Sequence, residues 1–322
     1  MPTHRLLDAV KEAAMGDKKI GSTLKGIGPA YTDKYSRCGL RVGEILHEGF
    51  AEEYKSRRDA HIKIIEQSGI DFRNILLDGM PFGEYEKEWL IAADKLKQFR
   101  IVAAEIEINK ALKAGKRILA EGAQGTMLDV DFGSYPYVTS SNTMTGGVCT
   151  GLGIAPCHVG KVFGIFKAYC TRVGNGPFPT ELFDDMGEMI RKNGNEFGAT
   201  TGRPRRTGWL DLPALRYSVM INGVTDLIMT KADVLTGIET ISVCNSYKCG
   251  DATYDLPDIP MGCQPEILLK ELDGWKCDLT SITGTSDFPS ELTGYISFVE
   301  NAAGVHLSHV STGPDRNQLI KI

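Results

Sequence analysis

The run GATTGRPRRTGW, from Gly198 to Trp209, sets three arginines beside glycines and threonines in a chain whose net charge is −5. Nothing in it is expected to build a core. Arg203, Arg205 and Arg206 carry planar forks of donors that match carboxylates and phosphates two bonds at a time. Gly198 and Gly202 allow close backbone approach, and Thr200, Thr201 and Thr207 add hydroxyls that donate or accept. Such a set suits a dense anion. An isolated basic run is more often a solvated loop whose arginines pair with nearby acids, but other stretches here point to the same chemistry.

The 322 residues, 42% of them hydrophobic, suffice for a large core, and 36 glycines exceed the usual share. The acidic balance argues against nucleic-acid partners and makes the arginine cluster a local device. No apolar run reaches the roughly twenty residues of a membrane span. The eight cysteines form no CxxC pair; no metal site is expected from them, and reduced thiols in a cytoplasmic protein are.

Thr3 is expected to cap a first helix that Gly16 ends, with His4 a capping or surface residue in its first turn. A second anion-handling loop follows, IGSTLKGIGPAYTDKYSRCGLRVGEIL, from Ile20 to Leu46. Apolar residues at three-to-four spacing make about 50–114 a helical subregion of structural packing. Arg117 to Ala120 reads as a short buried strand running into EGAQGTMLDVDFGSYPYVTSSNTMTGG, a polar loop where α/β sheets place ligands, with Glu121, Gln124, Asp129, Asp131 and Thr139 to Asn142 as donors and acceptors.

Val162–Val173 reads as β structure and 184–192 as a short helix. Asp211 is expected to cap a helix that holds Pro213 in its first turn and ends before Gly223. The strand Asp226–Thr230 then delivers Lys231, Ala232 and Asp233. A carboxylate there can accept both edge protons of guanine, and a lysine stem can cover the base, although a surface ion pair is the commoner meaning of so short a motif. Residues 241–256 read as a hairpin turning at Gly250–Asp251, the stretch from Pro257 to Phe288 as irregular, and 290–303 as a helix. That helix leads into the strand HLSHV and the polar turn Ser311–Arg316.

Taken in this order, GIGPAYTDKYSR (Gly26–Arg37), EGAQGT (Glu121–Thr126), YPYVTSSNT (Tyr135–Thr143), GATTGRPRRTGWLD (Gly198–Asp211) and STGPDR (Ser311–Arg316) resemble the adenylosuccinate synthetase family, which joins IMP and L-aspartate at the expense of GTP. The resemblance covers essentially the whole chain. It implies an α/β fold with a large, mostly parallel central sheet flanked by helices, in one domain over 1–322. It further implies that Thr23, Gln124, Thr139 and Arg203 contact IMP while Arg37 reaches the IMP of a partner subunit in a homodimer. Ala199, Thr200, Thr201, Gly202, Arg203, Pro204 and Arg205 would close over aspartate. Arg205, Lys231, Ala232, Asp233, Ser311, Thr312 and Gly313 would bind GTP, and Lys34 and Gln124 would support the chemistry, with Mg²⁺ as cofactor. The family's opening strand with its phosphate loop, GDEGKGK, and its NAGH stretch are not found here. The general-base aspartate, the histidine and the main Mg²⁺ ligands are therefore expected to be missing, which leaves open a non-catalytic IMP- and guanine-nucleotide-binding fragment or the C-terminal part of a split enzyme.

Overall fold

The computed structural model describes residues 1–16, 21–198 and 202–322, in two compact units: Met1–Thr143 with Gly147–Ile154, and Met144–Gly146 with Ala155–Ile322.

The first unit is helical. Its elements are α1 (Pro2–Met15), α2 (Ile27–Ser36), α3 (Phe50–Gln67), α4 (Phe82–Lys95) and α5 (Ala104–Lys113), followed by α6 (Gly146–Leu152) near its end. Leu6, Leu7 and Val10 of α1 meet Ile65 and Leu77 in a small core bordered by Phe72, Phe82 and Tyr85. Gly16 ends α1 as expected, but the cap position is Met1, and Thr3 lies inside the helix. Thr3 is fully buried, and its hydroxyl meets His61 Nδ1 at 2.8 Å. His4 is not on the surface either. It is buried, with Nε2 at 2.7 Å from Asp33 Oδ2, and His61 Nε2 stands 3.0 Å from the same oxygen. Asp33 of α2 thus ties α1 to α3.

Arg117–Ala120 forms no strand, and Leu119 is 87% exposed. So short a segment holds β structure only against a neighbour, and no described strand pairs with it.

The second unit holds the sheets. Its strands are β1 (Phe163–Lys167), β2 (Cys170–Arg172), β3 (Arg206–Gly208), β4 (Leu210–Asp211), β5 (Asp226–Thr230), β6 (Thr240–Cys249), β7 (Ala252–Tyr254), β8 (Glu266–Asp273), β9 (Leu307–Ser311) and β10 (Leu319–Lys321). Its helices are α7 (Asp185–Asn193), α8 (Leu212–Asn222) and α9 (Ser290–Ala303). The order β1-β5-β9-β10 joins three parallel strands to one antiparallel edge. In a second sheet β6 pairs with β4 in parallel and with β7 and β8 antiparallel. The core between sheets and helices is centred on Leu212, Leu227, Met229, Leu235, Ile241, Trp275 and Tyr295. Asp211 accepts from Ala214 N at 3.1 Å, and Gly223 closes α8 in the left-handed conformation, as the sequence leads one to expect.

The stretch 257–288 and the cysteines depart from expectation in this unit. The stretch 257–288 contains β8, an eight-residue strand along β6; its charged residues and lack of β-branching beyond one isoleucine hide it from a propensity reading. Cys249 and Cys263 form a disulfide, with Cα atoms 6.3 Å apart, while Cys38, Cys149, Cys157, Cys170, Cys244 and Cys277 are free. The chain between the pair folds back beyond β7, a proximity that spacing in sequence does not reveal. No helix among the described residues is long and apolar enough to cross a membrane.

Candidate functional site

Parallel strands put their carboxyl ends on one edge, and here that edge collects the expected nucleotide residues. The register pairs Lys167 with Thr230 across β1 and β5, and Met229 with Val310 across β5 and β9. The turns after β5 (Lys231–Asp233) and β9 (Ser311–Gly313) therefore emerge side by side, where an α/β sheet presents ligand groups.

Each turn is built by its own contacts. Lys231 takes the left-handed conformation at φ 61°, which starts a 3₁₀ turn over Ala232–Leu235. Its ammonium donates to Gly194 O at 2.5 Å. Ala232 is fully buried, and its carbonyl accepts from Trp275 Nε1 at 3.2 Å. Asp233 is half-buried, and burial pushes its carboxyl above the usual carboxylate range. Ser311 donates to Gly313 O at 2.7 Å. Thr312 is fully buried, and both its N–H and its hydroxyl go to Gln318 O, so its side chain shapes the turn.

The arginine stretch lies in the same unit. Arg205 N donates to Glu196 O at 2.9 Å, Phe197 bridges Pro204, and Gly198 N donates to Arg203 O at 2.8 Å. Gly202 has φ 62°, and Gly202, Arg203 and Pro204 are exposed; Ala199, Thr200 and Thr201 lie outside the described residues. The three arginines are not equivalent. Arg206 is committed to structure: its fork is bonded to Glu181, Nη1 donates to Gly174 O and Gly176 O, and the guanidinium lies 5.5 Å from the Phe178 ring centre. Arg205 gives Nη1 to Glu196 at 2.6 Å, while its buried Nε has no partner among the described residues. The stretch also does build core, contrary to expectation. Thr207 and Trp209 are buried, because β3 pairs with β2, the Thr207 hydroxyl donates to Gly187 O and Trp209 N donates to Thr180 O.

Sequence reasoning missed the acid that organises this corner. Glu196 is fully buried and accepts from Lys167 Nζ at 2.7 Å, Tyr169 OH at 2.5 Å and Arg205 Nη1 at 2.6 Å, with Lys231 Nζ 3.6 Å away. Burial alone would raise its pKa; the bonds from Lys167 and Tyr169 and the nearby positive charge outweigh that and bring it down to about 2. The signal available was weak: a single acid in GNEFG just before the arginine stretch.

The remaining expected residues belong to the first unit. Thr23, Lys34, Arg37 and Gln124 are exposed and Thr139 is half-buried. Arg37 and Gln124 have left-handed backbones, φ 63° and 66°, and Lys34 Nζ lies 5.2 Å and 5.7 Å from the ring centres of Tyr31 and Tyr35. The GIGP turn and the TSSN loop meet: a Cβ on Gly28 would stand 3.4 Å from Ser140 Oγ. Gly26 can be nothing larger, since a Cβ there would sit 2.8 Å from the backbone of His4 and Arg5 and its φ is 78°. Asp129 and Asp131, offered above as ligand groups, serve the loop itself. Asp129 is fully buried and accepts from the N–H groups of Asp131, Phe132 and Thr143, and Asp131 accepts from Asn142.

His4, Asp33 and His61 form the one group of three His, Cys, Asp or Glu among the described residues compact enough to hold a metal ion. Tetrahedral ligand atoms around zinc stand roughly 3.3 Å apart, whereas the two imidazoles approach one Asp33 oxygen at 2.7 and 3.0 Å. These are hydrogen-bond lengths, and the group is a clasp between helices. Burial pushes His4 from 6.5 down to about 4 and moves His61 in the same direction. As pH falls from about 6.5 to about 4, the unfolded chain takes up protons that the folded histidines refuse, so stability present above that window is lost on descending through it. The first unit's thermal midpoint is expected to drop between about pH 7 and about pH 4.5, by an amount equivalent to no more than about 3 kcal/mol for His4. In His4→Asn that pH dependence should be visibly flatter.

Comparison with known proteins agrees with these motifs. The family model for adenylosuccinate synthetase matches residues 1–320. The adenylosuccinate synthetase of Phocaeicola vulgatus is 54% identical over 323 residues, covering 100% of this chain and 74% of its own length. That of Bacteroides thetaiotaomicron is 53% identical, with the same coverage. Among solved structures, the fully ligated adenylosuccinate synthetase of Plasmodium falciparum superposes with a TM-score of 0.86 at 35% identity, over 99% of this chain and 75% of that one. A succinoaminodeoxyadenylate synthetase from cyanophage S-2L, at 18% identity and a TM-score of 0.54, shares the fold. The match spans this chain almost end to end and by itself lends no support to the expected loss of a catalytic segment. With an α/β fold of parallel strands flanked by helices, the motif runs in place and relatives more than half identical, the chain belongs to the adenylosuccinate synthetase family, a family of ligases in purine biosynthesis.

Proposed function

We propose that this chain serves the GTP-dependent ligation of IMP and L-aspartate to adenylosuccinate in AMP synthesis, as a cytoplasmic homodimer. In this reading Asp233 accepts the two edge protons of guanine, the Lys231 stem lies along the base, and the Ser311–Gly313 turn closes the pocket. Arg205 faces the phosphates. The Ala199–Arg205 loop, with Thr200, Thr201, Gly202, Arg203 and Pro204, takes the carboxylates of aspartate. Thr23, Gln124, Thr139 and Arg203 hold IMP, Arg37 reaches the IMP of the partner subunit, and Lys34 and Gln124 support the charge that develops. The 6-oxygen of IMP takes the γ-phosphoryl group of GTP, releasing GDP while the N1 proton passes to solvent, and the amine of aspartate then displaces phosphate at carbon 6 with loss of one of its protons.

The observation that carries this reading is the side-by-side emergence of the β5 and β9 turns, with Asp233 half-buried and its carboxyl shifted upward. Mg²⁺, which the family resemblance brings, prefers an all-oxygen set. The His4–Asp33–His61 group offers two imidazoles and does not fit it.

Calorimetric titration tests the binding. GDP and IMP are expected to saturate the protein while ADP does not, and equal affinity for GDP and ADP would overturn the guanine assignment. Incubation with IMP, L-aspartate, GTP and Mg²⁺ tests turnover. GDP and IMP binding without adenylosuccinate would favour the nucleotide-binding part of a split enzyme instead.

A further inference from the structure

We propose that Glu196 is a positioning residue that sets Arg205 and Lys231 against each other, so that the arginine stretch and the Lys231–Asp233 turn bind ligand as one unit. The inference rests on the guanine reading above.

Around one fully buried carboxylate stand three cations: Lys167 and Arg205 in direct contact at 2.7 and 2.6 Å, and Lys231 at 3.6 Å. Glu196 also fixes Arg205 through the main chain, since its carbonyl accepts from Arg205 N at 2.9 Å. The Tyr169 hydroxyl, 2.5 Å from Oε1, locks the carboxylate's rotamer. Tyr169 in turn passes so close to Gly194 that a Cβ there would stand only 2.3 Å from the phenol oxygen. Gly194 is the residue whose carbonyl receives the Lys231 ammonium. Two independent paths, one ionic and one through the 194–196 backbone, therefore run from Lys231 to Arg205 by way of Glu196. A guanidinium held at Nη1 keeps its remaining N–H groups aimed, and a lysine held at its tip keeps its stem extended across the mouth of the turn. With Asp233 counted as a second anion beside Lys231, three cations still outnumber the carboxylates, and that surplus is what a phosphate or carboxylate ligand would neutralise.

A positioning role and a purely structural one separate in a double-mutant cycle read by GDP affinity. With Glu196 present, the combined effect of Arg205→Ala and Lys231→Ala is expected to differ from the product of the single effects by about fivefold or more. In the Glu196→Gln background, which keeps the shape and removes the charge, that departure should shrink to the part carried by the 194–196 backbone, and GDP affinity itself should fall by about tenfold. A carboxylate that only held the fold together would lower the unfolding midpoint and leave the departure intact; an undiminished departure in Glu196→Gln overturns the proposal. Should Glu196→Gln fail to fold, Tyr169→Phe frees the carboxylate without changing any charge. It is expected to shrink the departure, and an unchanged value again overturns the proposal. If the unaltered chain binds no GDP, the guanine reading falls and this inference with it. If it binds GDP and the Glu196 and Tyr169 variants behave like it, only the positioning role falls.

Discussion

Asp233→Asn is expected to weaken GDP binding by about a hundredfold or more and to shift preference toward xanthine nucleotides. Guanine presents two donors on the edge in question, N1–H and the 2-amino group, and a carboxylate presents two acceptors to match. Asparagine keeps one acceptor and replaces the other by an amide donor, which confronts the 2-amino group with a second donor. Xanthine carries an oxygen at that position and restores the match. The size of the effect follows from burial: Asp233 lies on a half-buried 3₁₀ turn, and a polar pair left unmade there forfeits its desolvation cost as well as its bond. Titration of the variant with GDP and with xanthosine diphosphate is the check. Equal loss of affinity for both would mean that Asp233 holds the turn and does not read the base.

Trp275→Ala should be the most damaging single change to the second unit, costing about 3–5 kcal/mol in denaturant unfolding. Trp275 is fully buried in the main core and packs edge-on against Tyr295, with ring centres 5.6 Å apart. Removing the indole deletes that contact and opens a cavity that the surrounding strands can close only in part. It also removes the indole donor from Ala232 O, so the Lys231–Asp233 turn loses an anchor. GDP affinity is thus expected to fall along with stability. Trp275→Phe refills much of the volume without restoring the N–H donor; it should recover most of the stability and less of the affinity. If both variants bind GDP like the parent, the indole supports the core alone.

Much of the second unit was legible because its signals are local. Asp226–Thr230 is a short apolar run beside a helix whose cap, proline and terminal glycine all stand in sequence, and the structure places that strand and that helix where those residues put them. The positions of the turns after β5 and β9 were legible for the same reason: each follows a strand directly. What could not be read depends on partners distant in sequence. The strand β8 exists because β6 lies beside it, and Arg117–Ala120 fails for want of such a neighbour. Glu196 gathers residues 29 positions before it and 35 after it, so nothing near it announces its role. The clasp of His4, Asp33 and His61 was hidden in the same way, because His4 taken alone suggests a surface group and its partners lie 29 and 57 positions further on. Arg206 shows the converse: chemistry that suits an anionic ligand is spent on Glu181 and two carbonyls, a distinction that residue type cannot make.

The five residues of β5 are largely buried, wedged between β1 and β9. Adding or deleting one of them would turn every side chain to the opposite face and swing Lys231 and Asp233 away with it. If the proposed guanine assignment holds, any drift in nucleotide preference enters through the composition of the turns, because the strand that carries them has no freedom of length.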